Sequence, residues 1–260
     1  MLKHKPHVLV LSGLDPSGGA GIQADIQAIT ALGCHPLPVL TCLTVQDTNN
    51  VHGAEPVDHQ LIRRQLACLE EDVAIHAVKT GALGCAEIIR VLADFLTRRK
   101  DLPYVLDPVI KAAGGGELAD EQLVSGMLEQ LFPLATVVTP NGPELAQLGN
   151  DTDEVIAASN LLANGCDSVL ATGGHGTDHY ITNYLVNDRG TQKSWQIERL
   201  GGEYHGSGCT LAAGISAGLA RGLALDGAIE TAQDFVSAGI RRALKVGAGY
   251  PVPDRNHDHG

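Results

Sequence analysis

The chain has 260 residues, of which 44% are apolar, and a formal net charge of −12 at pH 7. This length suits one large α/β domain, and no apolar run approaches the roughly 20 residues that a membrane-spanning helix needs. The acidic balance, without a cluster of Lys or Arg, argues against a nucleic-acid-binding face.

The N-terminal sequence MLKHKPHVLVLSG is basic and then apolar, as a signal peptide is. Its apolar run is short and passes into GLDPSGGAG without a small-residue cleavage pattern, so we predict a first β-strand there. The six cysteines form no CxxC pair and lie among apolar segments, which favours reduced thiols in the cytoplasm over disulfides or a zinc site.

Apolar, β-branched runs alternate with longer amphipathic segments along most of the chain. The predicted strands are 7–13, 36–45, 77–81, 104–109, 135–140 and 167–174. The predicted helices between and after them are 21–33, 59–72, 86–99, 120–132, 143–149 and 153–165. This order predicts an α/β fold with a mostly parallel sheet that carries helices on both faces.

The last third of the chain departs from this alternation. Segments 179–187 and 191–200, separated by the turn DRG, predict an antiparallel hairpin near the sheet edge. Two long helices are predicted at 208–223 and 225–244, and the tail DRNHDHG is expected to be a solvated, frayed end. No repeat or linker interrupts the sequence, so we predict one domain over residues 1–260.

Glycine-rich or polar sequences follow each of the six strands predicted before the hairpin. They are SGLDPSGGAG, VQDT, KTGALG, DPV, TPNGPE and TGGHG. In sheets of this class, ligands bind outside the carboxyl ends of the strands. We therefore expect the functional residues on this edge of the sheet.

The stretch SGLDPSGGAG resembles a phosphate loop only in part. Gly13 and Gly18 have the spacing of the two glycines in GxxxxGK[ST], but Gly19 and Ala20 replace the lysine and the hydroxyl residue. A turn that lets a small substrate approach the backbone at Gly13 and Ala20 is the better interpretation. Asp25, in the following helix, faces either that pocket or the solvent.

Polar residues at three further strand ends are candidates for binding. Gln46 offers both a donor and an acceptor, which suits a ring nitrogen beside an amino group, although an ordinary strand-end residue looks the same. Asp107 ends a buried strand, where carboxylates often hold Mg²⁺. Asn141 and Glu144 fit both a capping box and metal binding, and these two roles are compatible. The turn TGGHG at 172–176 fits a nucleotide-facing turn or a plain αβ connection equally well.

The sequence GSGC, residues 206–209, stands at the start of a predicted helix. Gly206 and Gly208 leave room for an anion to approach the amides, and the helix start adds about half a positive charge. Such a site stabilises charge on a transferring phosphoryl group and lowers a thiol pKa from about 8.5 toward neutrality. We predict that Ser207 and the two glycines form an anion hole and that Cys209 takes a proton from an attacking hydroxyl; burial as a small hydrophobe is the alternative.

Six motifs occur in the order SGLDPSGGAGIQAD, LTVQDT, VKTGALG, VLDPV, TVVTPNGPE and HGSGCTLAAGI. In this combination the chain resembles the hydroxymethylpyrimidine/phosphomethylpyrimidine kinases of the ribokinase-like superfamily, over about residues 7–245. The resemblance implies a three-layer α/β/α sandwich. It also implies an enzyme that uses ATP and Mg²⁺ to phosphorylate 4-amino-5-hydroxymethyl-2-methylpyrimidine and then its monophosphate during thiamine synthesis. A homodimer is expected because the superfamily often dimerises.

The resemblance also assigns roles to individual residues. The pyrimidine site that it implies consists of Gln46, Gly13, Ala20, Asp25 and Val109. The resemblance implies that Asp107 and Glu144 arrange Mg²⁺ and the phosphates, and Asn141 is a further candidate for cofactor binding. Cys209 takes the position of the general base, with the amides of residues 206–209 as the anion hole.

Four positions depart from the family pattern. Thr172 replaces a lysine expected near the ATP phosphates, and Lys111 either supplies the missing charge or is solvated on its loop. Ala82 replaces a methionine and Asp47 an asparagine, which leaves the second phosphorylation open. Two alternatives therefore remain: a pyridoxal-type kinase on the same scaffold, and a catalytically silent pyrimidine- or nucleotide-binding regulator. Related pyridoxal kinases typically carry Asp in place of Cys209, and this favours the pyrimidine kinase.

Overall fold

The computed structural model describes residues 4–111, 116, 118–173 and 179–256. Its strands form one nine-stranded sheet in the order β3-β2-β1-β4-β5-β6-β7-β8-β9. In chain order they are β1 (His7–Leu14), β2 (His35–Gln46), β3 (Val51–Pro56), β4 (Ala77–Thr80), β5 (Tyr104–Leu106), β6 (Val137–Val138), β7 (Ser168–Ala171), β8 (Tyr180–Asn187) and β9 (Gly190–Glu198).

Eight α-helices accompany the sheet in the described part of the chain. They are α1 (Gly21–Ala31), α2 (His59–Asp72), α3 (Ala86–Arg98), α4 (Glu121–Gly126), α5 (Gly142–Gly149), α6 (Glu154–Ala163), α7 (Ser207–Ala220) and α8 (Leu225–Arg241). Helices α2 to α6 pack on one face of the sheet, and α1, α7 and α8 pack on the other. The predicted three-layer α/β/α sandwich is confirmed. The prediction of a single domain over residues 1–260 stays a prediction.

The two edges of the sheet are both antiparallel, whereas the sequence predicted one such edge. The predicted hairpin is present as β8 and β9. The strand β3, which pairs antiparallel with β2 at the opposite edge, was missed. Its sequence VHGAEP contains Gly and Pro and shows no apolar alternation, because most of this edge strand is not buried.

The predicted helix 120–132 is shorter than expected. It is α-helical only as far as Gly126 and continues as a π-helical turn (Met127–Leu131) and a 3₁₀ turn (Phe132–Leu134). A proline at 133 ends regular helix at that point because its ring and missing N–H are incompatible with a continuing α-helix. No helix among the described residues is long and apolar enough to span a membrane.

The parallel strands β2, β1, β4, β5, β6 and β7 point the same way, so their carboxyl ends share one edge. The chain runs outward from β1 to β2 and β3 and then returns to place β4 on the other side of β1. The order of strands therefore reverses between β1 and β4. A crevice opens at such a reversal, and this is where sheets of this class bind ligands.

Candidate active site

A buried cluster of charges lies below the reversal between β1 and β4. Lys79 of β4 is fully buried, and its Nζ is 2.9 Å from Asp25 Oδ1 on α1 and 3.6 Å from Asp107 Oδ2 after β5. Burial alone would lower the pKa of Lys79, but the charges of Asp25 and Asp107 raise it well above its usual value. Lys79 is therefore a permanent cation that joins three elements.

Lys79 was not predicted as a site residue, although it lies within the motif VKTGALG. The available signal is a lysine within the apolar strand AVKT, all four residues of which are buried. A charge in such a strand needs a partner, because an unpaired buried ion is very costly. Asp25 is that partner, so the alternative in which Asp25 faces the solvent is excluded. Its carboxylate lies against Lys79, and its predicted role beside the substrate ring stays a prediction.

Cys209 lies in the first turn of α7 and links this cluster to the helix start. Its thiol lies near the Asp107 carboxylate and the Gly21 amide, and both affect its pKa. Burial, and then the charge of Asp107, raise the pKa of the Cys209 thiol to about 12. The expectation of a lowered thiol pKa is wrong, because burial and two carboxylates outweigh Lys79 and the helix terminus.

Two helix N-termini converge beside Cys209. Neither α1 nor α7 has a side-chain cap, and each begins directly after a glycine-rich turn. Gly206 has φ +80°, and a Cβ there would collide with the carbonyl oxygen of Gly19, so the two turns touch. A Cβ on Gly208 would meet no described atom within 4 Å. The predicted anion hole thus has uncapped amides and open space in front of it.

Asn141 and Glu144 form the predicted capping box at the start of α5. The Glu144 amide donates to Asn141 Oδ1, and the Asn141 amide donates to Glu144 Oε2, both at 3.0 Å. Burial, and then the nearby charge of Asp107, raise the pKa of Glu144 to about 8. Two carboxyl groups therefore repel each other at this end of the crevice.

These carboxyl groups fit a magnesium ion. Asp107 Oδ2 is buried and has no hydrogen-bond partner among the described residues. No group of three or more His, Cys, Asp or Glu within the described ranges could hold a metal ion by itself. Mg²⁺ usually binds through one or two carboxylates, with water and phosphate oxygens as its other ligands. Asp107 with Glu144 is a set of this kind.

Gln46 lies at the end of β2, on the other side of the turn that follows β1. Its carboxamide Nε2 is 3.0 Å from His205 Nε2, and Oε1 is 3.2 Å from Thr44 Oγ1. The residue is half-buried, so part of its amide remains accessible. Of the other residues predicted around the ring, Ala20 and Val109 are also half-buried and Gly13 is buried.

The positions that depart from the family pattern, including Thr172, Lys111 and Asp47, lie within the described residues. The Thr172 hydroxyl donates to the Pro140 carbonyl at 3.2 Å and so ties the end of β7 to that of β6. Lys111 is exposed. Residues 174–176 of the predicted nucleotide-facing turn lie outside the described residues. Asp47 accepts from the Asn49 and Asn50 amides, and these bonds lower its pKa to about 2.

Arg255 was not foreseen, because the tail was expected to fray. It is buried and donates to Gly19 O at 2.6 Å, to Gly206 O at 3.3 Å and to Thr210 Oγ1 at 2.8 Å. The expectation of a solvated tail is wrong for Arg255, whereas Asn256 is exposed. The guanidinium clamps together the two glycine-rich turns that flank the crevice, because it bonds to the backbone of both.

The doubly wound sheet, the switch-point crevice and the uncapped helix start beside paired carboxylates define a ribokinase-like small-molecule kinase. A family model described as phosphomethylpyrimidine kinase matches residues 15–253. The chain belongs to this family.

Individual relatives agree with that assignment. The chain is 37% identical to a hydroxymethylpyrimidine/phosphomethylpyrimidine kinase of Streptomyces coelicolor, over 98% of this chain and 94% of the relative. An ADP complex of Bacillus subtilis pyridoxal kinase superposes with a TM-score of 0.88 at 31% identity, covering 97% of this chain and 98% of the other. A phosphomethylpyrimidine kinase from Clostridium difficile gives a TM-score of 0.77 at 29% identity, covering 90% and 98%.

Proposed function

We propose that the protein transfers the γ-phosphoryl group of ATP to the hydroxymethyl group of 4-amino-5-hydroxymethyl-2-methylpyrimidine, and to the resulting monophosphate, in thiamine biosynthesis. The observation that carries the proposal is the placement of Cys209 between Asp107 and the uncapped start of α7. Relatives at this level of identity are named for both steps. The B. subtilis neighbour, a pyridoxal kinase, contains ADP, which supports a nucleotide as phosphate donor.

The amides of residues 206–209 would bind the transferring phosphoryl group. Asp107 and Glu144 would hold Mg²⁺, which when bound neutralises phosphate charge and relieves the repulsion between these carboxyl groups. Asn141 orients Glu144 through the capping box, and Thr172 and Lys111 are proposed to lie near the phosphates. Most of the rate enhancement then comes from positioning and electrostatics, as is general for phosphoryl transfer.

Cys209 enters this reaction as a neutral thiol because its pKa is about 12. The hydroxyl oxygen bonds to the γ-phosphorus while the bond from phosphorus to the departing ADP oxygen breaks. The hydroxyl proton passes to Sγ while the thiol proton passes to the neighbouring Asp107 carboxylate. This relay needs no preformed thiolate, and protons and charge balance in it.

Gln46 is proposed to bind the aminopyrimidine through its donor and acceptor, with Gly13, Ala20 and Val109 around the ring and Asp25 behind it. A pyridoxal kinase is the second candidate function, since a neighbour with a TM-score of 0.88 carries that name. The third alternative, a catalytically silent pyrimidine- or nucleotide-binding regulator, predicts binding without transfer.

One assay separates these functions. ADP release is measured with purified protein and Mg²⁺-ATP in the presence of the pyrimidine alcohol, of its monophosphate, or of pyridoxal. We expect turnover with the first two and a much lower kcat/KM with pyridoxal. A preference for pyridoxal would overturn the proposed substrate. Absence of ADP release with all three compounds would overturn the proposed kinase function.

We also propose that the protein is a cytoplasmic homodimer. All six cysteines are free thiols, as suits a reducing compartment. Leu43 and Val45 project from the same face of β2 with exposed fractions of 45% and 61% and offer an apolar contact for a second copy. Sedimentation equilibrium of the wild type and of Val45→Asp tests the dimer: a wild-type monomer would refute it, and we expect the variant to dissociate.

A further inference from the structure

His205 is a buried histidine that the proposed mechanism does not use. It directly precedes the glycine-rich turn 206–208, and its side chain points across the crevice to two other elements. His205 Nε2 is 2.7 Å from Asp15 Oδ2, in the turn after β1, and 3.0 Å from the carboxamide of Gln46 at the end of β2. One ring nitrogen thus faces a carboxylate and the amide proposed to bind the pyrimidine.

The ionisation of Asp15 decides whether the Nε2 atom of His205 carries a proton. Asp15 also accepts from the amides of Ser17 and Ala20, both at 2.8 Å. Burial alone would raise the pKa of Asp15, but its hydrogen bonds with His205 and Ser17 lower it below its usual value. Asp15 is therefore an acceptor only, and a nitrogen 2.7 Å away must carry a proton. His205 Nε2 is accordingly a donor.

Thr44 provides the matching restraint at the other end of the carboxamide. Its hydroxyl donates to the Leu14 carbonyl at 2.7 Å, so it has only lone pairs left for Gln46, 3.2 Å away. The oxygen and nitrogen of a carboxamide exchange places by a half turn, and the hydrogen-bond network decides between the two orientations. His205 Nε2 gives its single proton to Asp15 and so has no lone pair for an amide N–H, and Thr44 has only lone pairs left. These two neighbours require the Gln46 oxygen on the His205 side and the nitrogen on the Thr44 side, the reverse of the assignment in which Nε2 faces His205.

We propose that His205, held by Asp15, is a positioning residue that sets the orientation of the Gln46 carboxamide and so the class of heterocycle that the crevice accepts. This inference rests on the proposed function, in which Gln46 binds the substrate ring. One N–H and one carbonyl lone pair of Gln46 remain free at set positions. They match a ring in which an acceptor nitrogen stands beside an exocyclic amino group, and a reversed amide would present donor against donor.

Selectivity between heterocycles should therefore depend on His205. Its replacement by Leu removes the donor and keeps an apolar side chain of similar size, whereas His205→Gln keeps an N–H at about the position of Nε2. We expect His205→Leu to raise KM for the pyrimidine alcohol about tenfold, roughly the effect of one hydrogen bond. KM for ATP and kcat should change less than about twofold, and His205→Gln should restore most of the loss. A variant of exposed His52, His52→Leu, is the control.

A double-mutant cycle separates positioning from a merely structural role. Gln46→Ala, His205→Leu and the double variant are compared with the wild type in kcat/KM for the pyrimidine alcohol. If His205 acts through Gln46, its substitution has no further effect once Gln46 is alanine. Additive losses, or equal losses of KM for ATP and for the pyrimidine, would overturn the proposal.

A second measurement does not depend on the substrate. Imidazole ¹⁵N NMR of the ligand-free protein at pH 8 should show His205 with its proton on Nε2, whereas a proton on Nδ1 alone would overturn the inference. Failure of the wild type to turn over the pyrimidine alcohol would overturn the proposed function instead. The NMR result would still decide whether His205 Nε2 carries the proton that prevents it from accepting an amide N–H of Gln46.

Discussion

Two groups of polar residues lie on either side of the crevice and are built differently. In the recognition cluster, which consists of Thr44, Gln46, His205 and Asp15, neutral and charged groups are joined by a continuous chain of hydrogen bonds. In the charge cluster, which consists of Asp25, Lys79, Asp107 and Cys209, ion pairs dominate and Asp107 Oδ2 has no hydrogen-bond partner among the described residues.

The difference indicates how each cluster is used. A satisfied hydrogen-bond network holds its members in one arrangement, which suits the recognition of a ring. Burial raises the pKa of Asp107, and burial followed by the charge of Asp107 raises the pKa of Glu144 and Cys209, while a single ammonium group serves the buried carboxylates. A cation that binds in the crevice would stabilise the ionised forms of these groups. The recognition cluster thus keeps its geometry without a ligand, whereas the charge cluster lacks a cation until one binds.

The largest effect is expected from Cys209→Ala. Loss of the proton relay should lower kcat by about 10²- to 10⁴-fold, the usual contribution of general acid–base catalysis. ATP binding should persist because the amides of the α7 start remain. The matched control is Cys166→Ala, which removes another thiol whose pKa burial raises to about 12. Steady-state kinetics of both variants test this, and a wild-type kcat in Cys209→Ala would remove the thiol from the mechanism.

The next largest effect concerns stability. Lys79→Met leaves Asp25 without its buried partner and should lower the free energy of unfolding by about 3–5 kcal/mol. Lys193→Met is the control, since Lys193 is partly exposed, pairs with Asp226 and Glu230, and should contribute about 1 kcal/mol or less. Urea denaturation measures both variants.

If Lys79→Met does not fold, a second variant tests the same pair. Lys79→Met combined with Asp25→Asn removes both charges and should recover part of the loss. Equal stability of Lys79→Met and Lys193→Met would contradict a stabilising ion pair between Lys79 and Asp25. So would a double variant that recovers none of the lost stability.

A smaller effect is expected in the pH dependence of stability without ligand. The pKa of Glu144 in the folded protein, about 8, is above its ordinary value of 4.5. The folded chain therefore keeps a proton that the unfolded chain releases, so this stabilisation is complete below pH 4.5 and is lost as the pH rises through 8.

Glu144→Gln should accordingly reduce the fall in unfolding free energy between pH 5 and pH 8, by on the order of 3 kcal/mol. Glu154→Gln is the matched control, because Glu154 lies in the first turn of α6 but is exposed. Denaturation curves at the two pH values provide the measurement. An unchanged pH dependence in Glu144→Gln would show that this carboxyl titrates normally.

The smallest expected effect is a difference in thiol reactivity. At pH 8, iodoacetamide should alkylate exposed Cys68 at least about tenfold faster than half-buried Cys209, because only the thiolate reacts and the pKa of Cys209 is about 12. Peptide mass spectrometry follows both sites. The rate at Cys209 should still rise between pH 8 and pH 10, and a plateau below pH 9 would mean that the helix start governs this thiol.

Much of the fold was predictable because the apolar runs in the sequence coincide with the buried strands of the sheet. Buried parallel strands are continuous apolar runs, so β1, β4 and β5 could be recognised from their residues alone. The edge strand β3 could not be recognised in this way, since its pairing with β2 rather than its own composition makes it a strand. The capping box at Asn141 and Glu144 was predictable for the opposite reason: both partners lie within one helical turn.

The sequence by itself determined the order of the elements, the edge of the sheet that carries the crevice, and the presence of Gln46, Asp107 and Cys209 on that edge. Only the tertiary structure decided the partners of these residues. Lys79 and Asp25 are 54 positions apart, and Asp15 and His205 are 190 apart. Ionisation and hydrogen-bond direction depend on burial and on neighbours within a few ångström, which the chain acquires only when it folds.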